Sequence, residues 1–341
     1  MLTRMAMIGS AVYVEGRRVS DGISPEEAVV EARERGGIAW IGLQRPELAE
    51  LRSLGELLHL HPIVVDDAYR GHRRATLERY DEHIHIVLQP AHYVDASESV
   101  ECAEIDLIVG DDFVVTVHTS DTIDLAGARE ALEAHPEFLA RGTLAIVWAV
   151  FDYVVRGYAP VLAGVENDID EIESSLFSGG IGVSQRIFAL QREVIALQHA
   201  TGPLASMLGR MQEIAMARTG RGSAPAFHEV DDRARHISDR VDGFKQTLDS
   251  ALQVDATLTE QRTNEDMRRM TQFGLDQNDQ VKKVSSWAAI LFAPTLVGTV
   301  YGMNFDNMPE LHWDFGYPLA LGLMLATSVT LFLVFKRRGW L

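Results

Sequence analysis

The sequence predicts an α/β N-terminal domain followed by a long α-helical stalk and two C-terminal transmembrane helices, and three observations carry that prediction. Strand and helix signals alternate over residues 1–122, and strand signals cease from Ile123 onward. Between Pro225 and Pro294 there is no proline and the apolar spacing stays helical. Two uncharged apolar runs, Val284–Tyr301 and Tyr317–Phe335, flank a short polar loop. At about 18 and 19 residues, each run as helix covers most of a ~30 Å hydrocarbon layer.

In the N-terminal domain, Arg4 precedes the run Met5–Val14, which faintly resembles a signal peptide but carries too little charge and is read as strand. Ser24-Pro25-Glu26-Glu27 combines an N-cap, a first-turn proline and a capping-box glutamate, and Gly36-Gly37 closes that helix. Strand Ile38–Leu43 and a helix from Pro46 to about His59 follow. His83–Leu88 reads as strand, and Glu104–Thr119 as a hairpin folded at Gly110-Asp111-Asp112. Antiparallel helices are expected over residues 123–225: Leu144–Leu176, broken at Gly179-Gly180, then Ser184 to about Arg218. The stalk occupies 226–283 and continues without interruption into the first span, 284–301. Residues 302–316 form the connecting loop, 317–335 the second span and 336–341 a basic tail.

Lys282 and Lys283 precede the first span and Lys336, Arg337 and Arg338 follow the second, while the loop has neither lysine nor arginine. The positive-inside bias therefore predicts a multi-pass protein of the cytoplasmic membrane, with both termini in the cytoplasm. Trp287, Trp313, Tyr317 and Trp340 fall near the span ends, where amphipathic rings prefer the lipid interface. The formal charge of −18 is uneven, because residues 282–341 hold five Lys/Arg and three Asp/Glu, a balance of +2 that leaves −20 before them. So acidic a cytoplasmic part is a poor nucleic-acid binder, so no nucleic-acid partner is expected, and it suits a collector or sensor of cations, with a solvated acidic surface as the competing reading. A single cysteine, Cys102, excludes a disulfide framework and a multi-thiolate metal site. Phosphate-binding glycine loops, His-Glu-x-x-His and nucleophile elbows are all missing from the sequence, so neither an enzyme nor an organic cofactor is expected. His83 and His85 share a strand face and read as a solvated sheet face; His59 and His61 are treated alike, and Asp66-Asp67 and Asp231-Asp232 read as surface acids.

In the first span, Ser285, Ala288, Phe292, Thr295 and Thr299 recur at 3-4-3-4 spacing and so share one face. This stripe reads equally as packing between helices or as the lining of a water-filled path. Two helices cannot enclose a path, so the second reading requires several copies around a closed symmetry axis. Behind the stripe, Gln261–Met267 and Leu275–Val281 form a weak repeat offset by fourteen residues, or two heptads, which places Asn264 and Asn278 on nearly one face; an ordinary coiled-coil seam is the competing reading.

Tyr301-Gly302-Met303-Asn304-Phe305, then Met308-Pro309-Glu310-Leu311, Trp313, Gly316-Tyr317-Pro318 and the ending Lys336-Arg337-Arg338-Gly339-Trp340-Leu341, resembles the CorA family of divalent-cation channels, whose signature is Gly-Met-Asn directly after the penultimate span. The resemblance implies a homopentamer in the lipid bilayer that imports Mg²⁺, with Co²⁺ and Ni²⁺ as further ions, through a selectivity filter of Gly302, Met303 and Asn304. Mg²⁺ sheds water reluctantly, so a ring of neutral Asn304 carbonyls suits the hydrated ion better than a carboxylate ring. Asn304 also reads as a cap of the first span. Asp306, Glu310 and Asp314 would concentrate cations at the outer mouth. Thr299, Thr295 and Phe292 match the family's pore-facing positions, with Phe292 where methionine is usual, and Val284, Val281 and Asn278 match its inner constriction and cytoplasmic end. The resemblance further implies a regulatory Mg²⁺ between neighbouring subunits at Asp95 and Glu229, a glutamate standing where the family has aspartate. Two other functions are weighed: a zinc transporter of the same superfamily, against which Met303 speaks, and a non-conducting membrane-anchored cation sensor or scaffold.

Overall fold

A computed structural model describes residues 7–71, 74–80, 82–180, 182–219, 224–303, 308–309 and 313–341. The chain parts into two compact units, Met1–Asp255 and Ala256–Leu341.

The first unit is built on a seven-stranded sheet ordered β2-β1-β3-β9-β8-β5-β4. Its strands are β1 (Met7–Val14), β2 (Arg17–Asp21), β3 (Ile38–Gln44), β4 (Thr76–Arg79), β5 (Ile84–Leu88), β8 (Ile105–Val109) and β9 (Phe113–His118). Neighbours pair antiparallel except β3 and β9, which run parallel. A separate hairpin joins β6 (Ala91–Val94) to β7 (Ser99–Cys102). Helix α1 (Pro25–Arg35) starts as its sequence predicts: Ser24 Oγ accepts from the Glu27 amide, the Glu27 carboxylate accepts from the Ser24 amide, and Gly36 ends the helix at φ 61°.

Alternate residues of β3, β8 and β9, among them Ile41, Ile108, Val115 and Val117, pack against α1, α2 (Leu48–Leu57) and α3 (Pro62–Arg70). The other sheet face meets α6 (Thr143–Ser178), whose Ile146, Val150, Phe151 and Val154 are buried. Helices α4 (Ala126–Glu133) and α5 (Pro136–Leu139) pack beside α6. Both faces of β5, β8 and β9 are therefore covered, and every residue of these strands is buried.

That coverage overturns one expectation. His83 and His85 are buried at 6% and 2% exposure rather than solvated, because the sheet face that His85 shares with its register partner Ile108 packs against α1, α2 and α3, the last of which propensity did not reveal. His85 Nε2 sits 2.8 Å from Asp106 Oδ1, and His83 Nε2 accepts from the His61 amide, so each ring is satisfied inside the protein. Asp231 is likewise buried, with Oδ2 accepting from the Arg235 guanidinium at 3.0 and 3.1 Å. The helix expected over Ser184–Arg218 is two, α7 (Val183–Thr201) and α8 (Leu204–Thr219). Pro203 has no N–H to continue the helical ladder, so the chain turns at Gly202-Pro203.

Helix α9 runs from Ala224 to Tyr301 without a break, 78 residues. Its first thirty or so residues belong to the first unit, where Phe227, Val230, Ala234, Val241 and Leu248 are buried. In the second unit α9 is accompanied by α10 (Gly316–Arg337).

Candidate functional site: the last turns of α9 and their partner helix

Within the second unit, α9 and α10 touch along one seam. Ser286 is 1% exposed, the Trp287 and Phe332 rings lie 6.5 Å apart, and Gly298 faces the Met324 side chain. Pro294 lacks the N–H that would bond the Ile290 carbonyl. Ser328 Oγ of α10 reaches that carbonyl at 3.5 Å, replacing the missing donor in a segment where water would be absent. At the end of α10, Gly339 turns the chain so that the Trp340 amide donates to the Phe335 carbonyl at 3.0 Å. The Trp340 ring then stacks on Phe335 at 5.5 Å, with Arg338 over it.

Ser285, Ala288, Phe292, Thr295 and Thr299 are all exposed, away from this seam. The stripe does not pack against α10. The Thr299 hydroxyl donates to the Thr295 carbonyl at 2.8 Å, which leaves the Thr299 oxygen lone pairs facing outward as acceptors. Val281, Val284 and Phe292 are exposed at 56%, 70% and 71%, so large apolar side chains stand uncovered on the same side. Asn278 is exposed one turn before Val281. Among the described residues no ion pair or hydrogen bond from another element reaches this face.

Gly302 and Met303 end α9: the Gly302 amide donates to the Gly298 carbonyl at 2.9 Å and Met303 is exposed. Asp314, two residues before α10, is exposed. Asn304, Asp306 and Glu310 lie outside the described residues.

In the first unit, Asp95 opens a short 3₁₀ turn between β6 and β7. Glu229 is an exposed residue of α9 whose carboxylate is 3.5 Å from Arg233. No group of three or more Asp, Glu, His or Cys side chains is placed to hold a metal among the described residues. Near Asp95 stands a perturbed acid that sequence reasoning missed. Asp168 of α6 is buried, and burial pushes its carboxyl above the usual range, with the charges of Glu98 and Glu171 adding to the shift. The Tyr93 hydroxyl donates to it at 2.8 Å and Arg186 opposes the shift. Arg186 itself bridges Glu98 at 2.9 Å and Glu171 at 2.5 Å. The signal for Asp168 in the sequence is the acidic second half of α6 in register with that helix's apolar face.

An α/β domain leading into a long helix, an uncharged exposed helix pair and a Gly-Met-Asn triplet in the sequence between them define a membrane transport protein, a class without enzymatic chemistry of its own. The chain belongs to the CorA family: residues 35–337 match the family described as CorA-like Mg²⁺ transporter protein. It is a divalent-cation transporter of that family. It is 25% identical over 321 residues to the cobalt/magnesium transport protein CorA of Thermotoga maritima, covering 92% of this chain and 87% of the relative. The fold is similar to that of the CorA magnesium transporter from Methanocaldococcus jannaschii, with a TM-score of 0.58, 17% identity and full coverage of both chains. It is also similar to the ZntB cytoplasmic domain from Vibrio parahaemolyticus, with a TM-score of 0.52, 13% identity, and coverage of 77% of this chain and 99% of that domain.

Proposed function

We propose that the protein is a homopentameric channel importing Mg²⁺, with Co²⁺ and Ni²⁺ as further ions, across the cytoplasmic membrane. Residues 1–283 and 336–341 are then cytoplasmic, 284–301 and 317–335 span the bilayer, and 302–316 form the outer loop. The observation that carries this reading is the exposed stripe Ser285, Ala288, Phe292, Thr295 and Thr299, which faces away from α10 and leads directly to Gly302-Met303-Asn304. An uncharged helix whose hydroxyl face has no partner among the described residues needs either water or copies of itself on that side, and a ring of copies around a wet axis supplies both.

In this reading the Asn304 ring meets the ion with its first water shell intact, Asp306, Glu310 and Asp314 concentrate cations outside, and Thr299, Thr295 and Phe292 line the descent. Val284 and Val281 form an apolar constriction that dewets when narrow, and Asn278 receives the ion beyond it. The membrane potential drives entry, by about 4.6 kcal/mol per 100 mV for a divalent ion. Mg²⁺ bound between subunits near Asp95 and Glu229 would screen the acidic faces and hold the closed state, and its loss would let them repel.

Uptake into vesicles of purified protein tests this. Asn304→Ala is expected to alter both Mg²⁺ flux and its block by hexamminecobalt; unchanged values of both would remove Asn304 from the path. Reversing Asp95 and Glu229 to lysine is expected to abolish the Mg²⁺ dependence of protease sensitivity. The likeness to the ZntB domain supports a second reading, zinc transport by the same path, and competition for flux between Zn²⁺ and Mg²⁺ separates the two.

A further inference from the structure

The second unit holds a group of cations that the chain leaves without counter-charge. Among the described residues Lys282 pairs with Asp279 at 3.0 Å, but no carboxylate lies within ion-pair distance of Lys283, Lys336, Arg337 or Arg338, all of them exposed. In a chain with 49 Asp/Glu against 31 Lys/Arg, that is not for want of acids.

The seam between α9 and α10 brings three of these cations to one place. The contacts Trp287–Phe332, Ile290–Ser328 and Gly298–Met324 show the two helices running antiparallel, and the Trp287–Phe332 ring pair is the one nearest the cations. Lys283 lies four residues before Trp287 and Lys336 four residues after Phe332, so each shares a helix face with its ring and stands one turn beyond it, at the same end of the seam. The Lys336 ammonium lies over the Phe332 ring, 5.7 Å from its centre. Gly339, at φ 69°, folds the chain back so that Trp340 stacks on Phe335, and the Arg338 guanidinium lies 6.0 Å over the indole. A ring face attracts a cation without neutralising it. The positive charges of Lys283, Lys336 and Arg338 therefore gather at the mouth of the seam, and their mutual repulsion calls for an anion there. The hydroxyl stripe faces away from this seam, so the mouth is on the lipid side of the helix pair.

We infer that Lys283, Lys336 and Arg338 form a site for the phosphate of an anionic phospholipid of the cytoplasmic leaflet. Ammonium and guanidinium groups supply charge-assisted hydrogen bonds to the phosphate oxygens. From Lys336 the exposed side chains Leu333, Val329 and Leu325 continue at 3-4-4 spacing along α10, an apolar track for an acyl chain. A free phosphate would use the cations alone; a phospholipid uses the cations, the track and the interfacial rings of Trp287 and Trp340 together. Bound there, it ties α10 to α9 at the open end of their seam. The inference rests on reading α9 and α10 as membrane spans and not on which ion is carried.

The test titrates full-length protein in non-ionic detergent with phosphatidylglycerol or phosphatidylcholine, and reads retained lipid by native mass spectrometry together with the melting temperature. Phosphatidylglycerol is expected to be retained and to raise the melting temperature by a few degrees; phosphatidylcholine, with the same phosphate but no net charge, is expected to do neither. Lys336→Gln and Arg338→Gln should each weaken retention about fivefold, whereas Lys282→Gln and Arg337→Gln, which remove the same charge from the same helix ends, should change it by less than about twofold. Trp340→Leu leaves every charge in place but removes the ring that seats Arg338, and should weaken retention as Arg338→Gln does. Equal losses in all four glutamine variants with none in Trp340→Leu would reduce the effect to surface charge and overturn the site, as would equal retention of both lipids. Displacement of the lipid by inorganic phosphate or glycerol phosphate, with the same stabilisation, would overturn the assignment to a lipid. Should a glutamine variant fail to fold, Lys336→Arg, expected to keep the lipid, and Trp340→Leu still decide between a site and bare charge. The spanning reading fails separately, by release of the protein from membranes in alkaline carbonate.

Discussion

Among the described residues, three helices are apolar enough and long enough to cross a membrane, and the chain treats them in opposite ways. α6 has an 18-residue window of mean hydropathy 1.3 of which 67% is buried, whereas the window in α9, at 1.4, is 6% buried and that in α10, at 2.1, is 0% buried. Hydropathy alone does not separate α6 from α9. What separates them is company: α6 is enclosed by a sheet, by the β6–β7 hairpin and by α4 and α7, whereas α9 in its last turns has, among the described residues, α10 on one side and exposed side chains elsewhere. An apolar helix without neighbours in its own chain requires a solvent or partners that are not water.

The sharpest way to break this contrast is a matched pair of truncations. Phe151 of α6 is fully buried and Phe292 of α9 is 71% exposed. Phe151→Ala leaves a core cavity and is expected to cost about 3–5 kcal/mol. Phe292→Ala removes no intrachain packing, and its effect on the same unfolding transition is expected to stay within about 0.5 kcal/mol. Hydrogen exchange of the β5 and β8 amides in the full-length protein reads both. Equal losses at the two sites would show that Phe292 is packed and that the stripe is not free.

A second substitution probes how tightly α6 is enclosed. A Cβ at Gly164 would come within 2.6 Å of the Tyr93 ring, so the glycine is what lets β6 lie flat on the helix. Gly164→Ala is expected to cost about 1–3 kcal/mol and to weaken the bond from Tyr93 to Asp168. Gly157, on the same helix, has nothing within 4 Å of the place a methyl group would take, so Gly157→Ala should be neutral or slightly stabilising. A smaller effect is expected in the exposed pair. Ser328→Ala leaves the Ile290 carbonyl beside Pro294 without its donor, a loss of about 1 kcal/mol read as a lower melting temperature in detergent.

How much of this was legible in the sequence differs between the two regions for the same physical reason. The capping box at Ser24, the Gly110-Asp111-Asp112 hairpin turn and the uninterrupted α9 were all readable, because each depends on local chemistry. The burial of His85 and Asp231 was not, because alternation along a strand or periodicity along a helix shows which residues share a face but not what covers it. One of the helices on that sheet face is α3, nine residues opened by His61, whose amide donates to His83, and by Pro62; it is too short for its periodicity to stand out. The α7–α8 break needed more weight on Gly202-Pro203 than on the amphipathic pattern running through it. In the second unit the stripe was visible at once, since nothing in the chain competes for it. Asp168 was hidden for the opposite reason: its charge matched the solvated side of α6, while its register placed it on the buried side.

Asp168 also yields the expected effect that most directly reports the closed environment around α6. Its folded-state carboxyl titrates above the unfolded value, because burial and the neighbouring Glu98 and Glu171 charges disfavour the anion. Between those two pKa values the folded chain holds more protons than the unfolded chain, so this group makes stability fall as pH rises through that window. Above the folded pKa the cost is fully present. Asp168→Asn keeps an oxygen to accept from the Tyr93 hydroxyl and removes the charge, so it should flatten that part of the stability profile and raise the melting temperature at neutral pH by a few degrees. The Arg186 bridge to Glu98 and Glu171 remains in the variant as an internal control. A variant as pH-sensitive as the parent between the two pKa values would place the responsible carboxylate elsewhere.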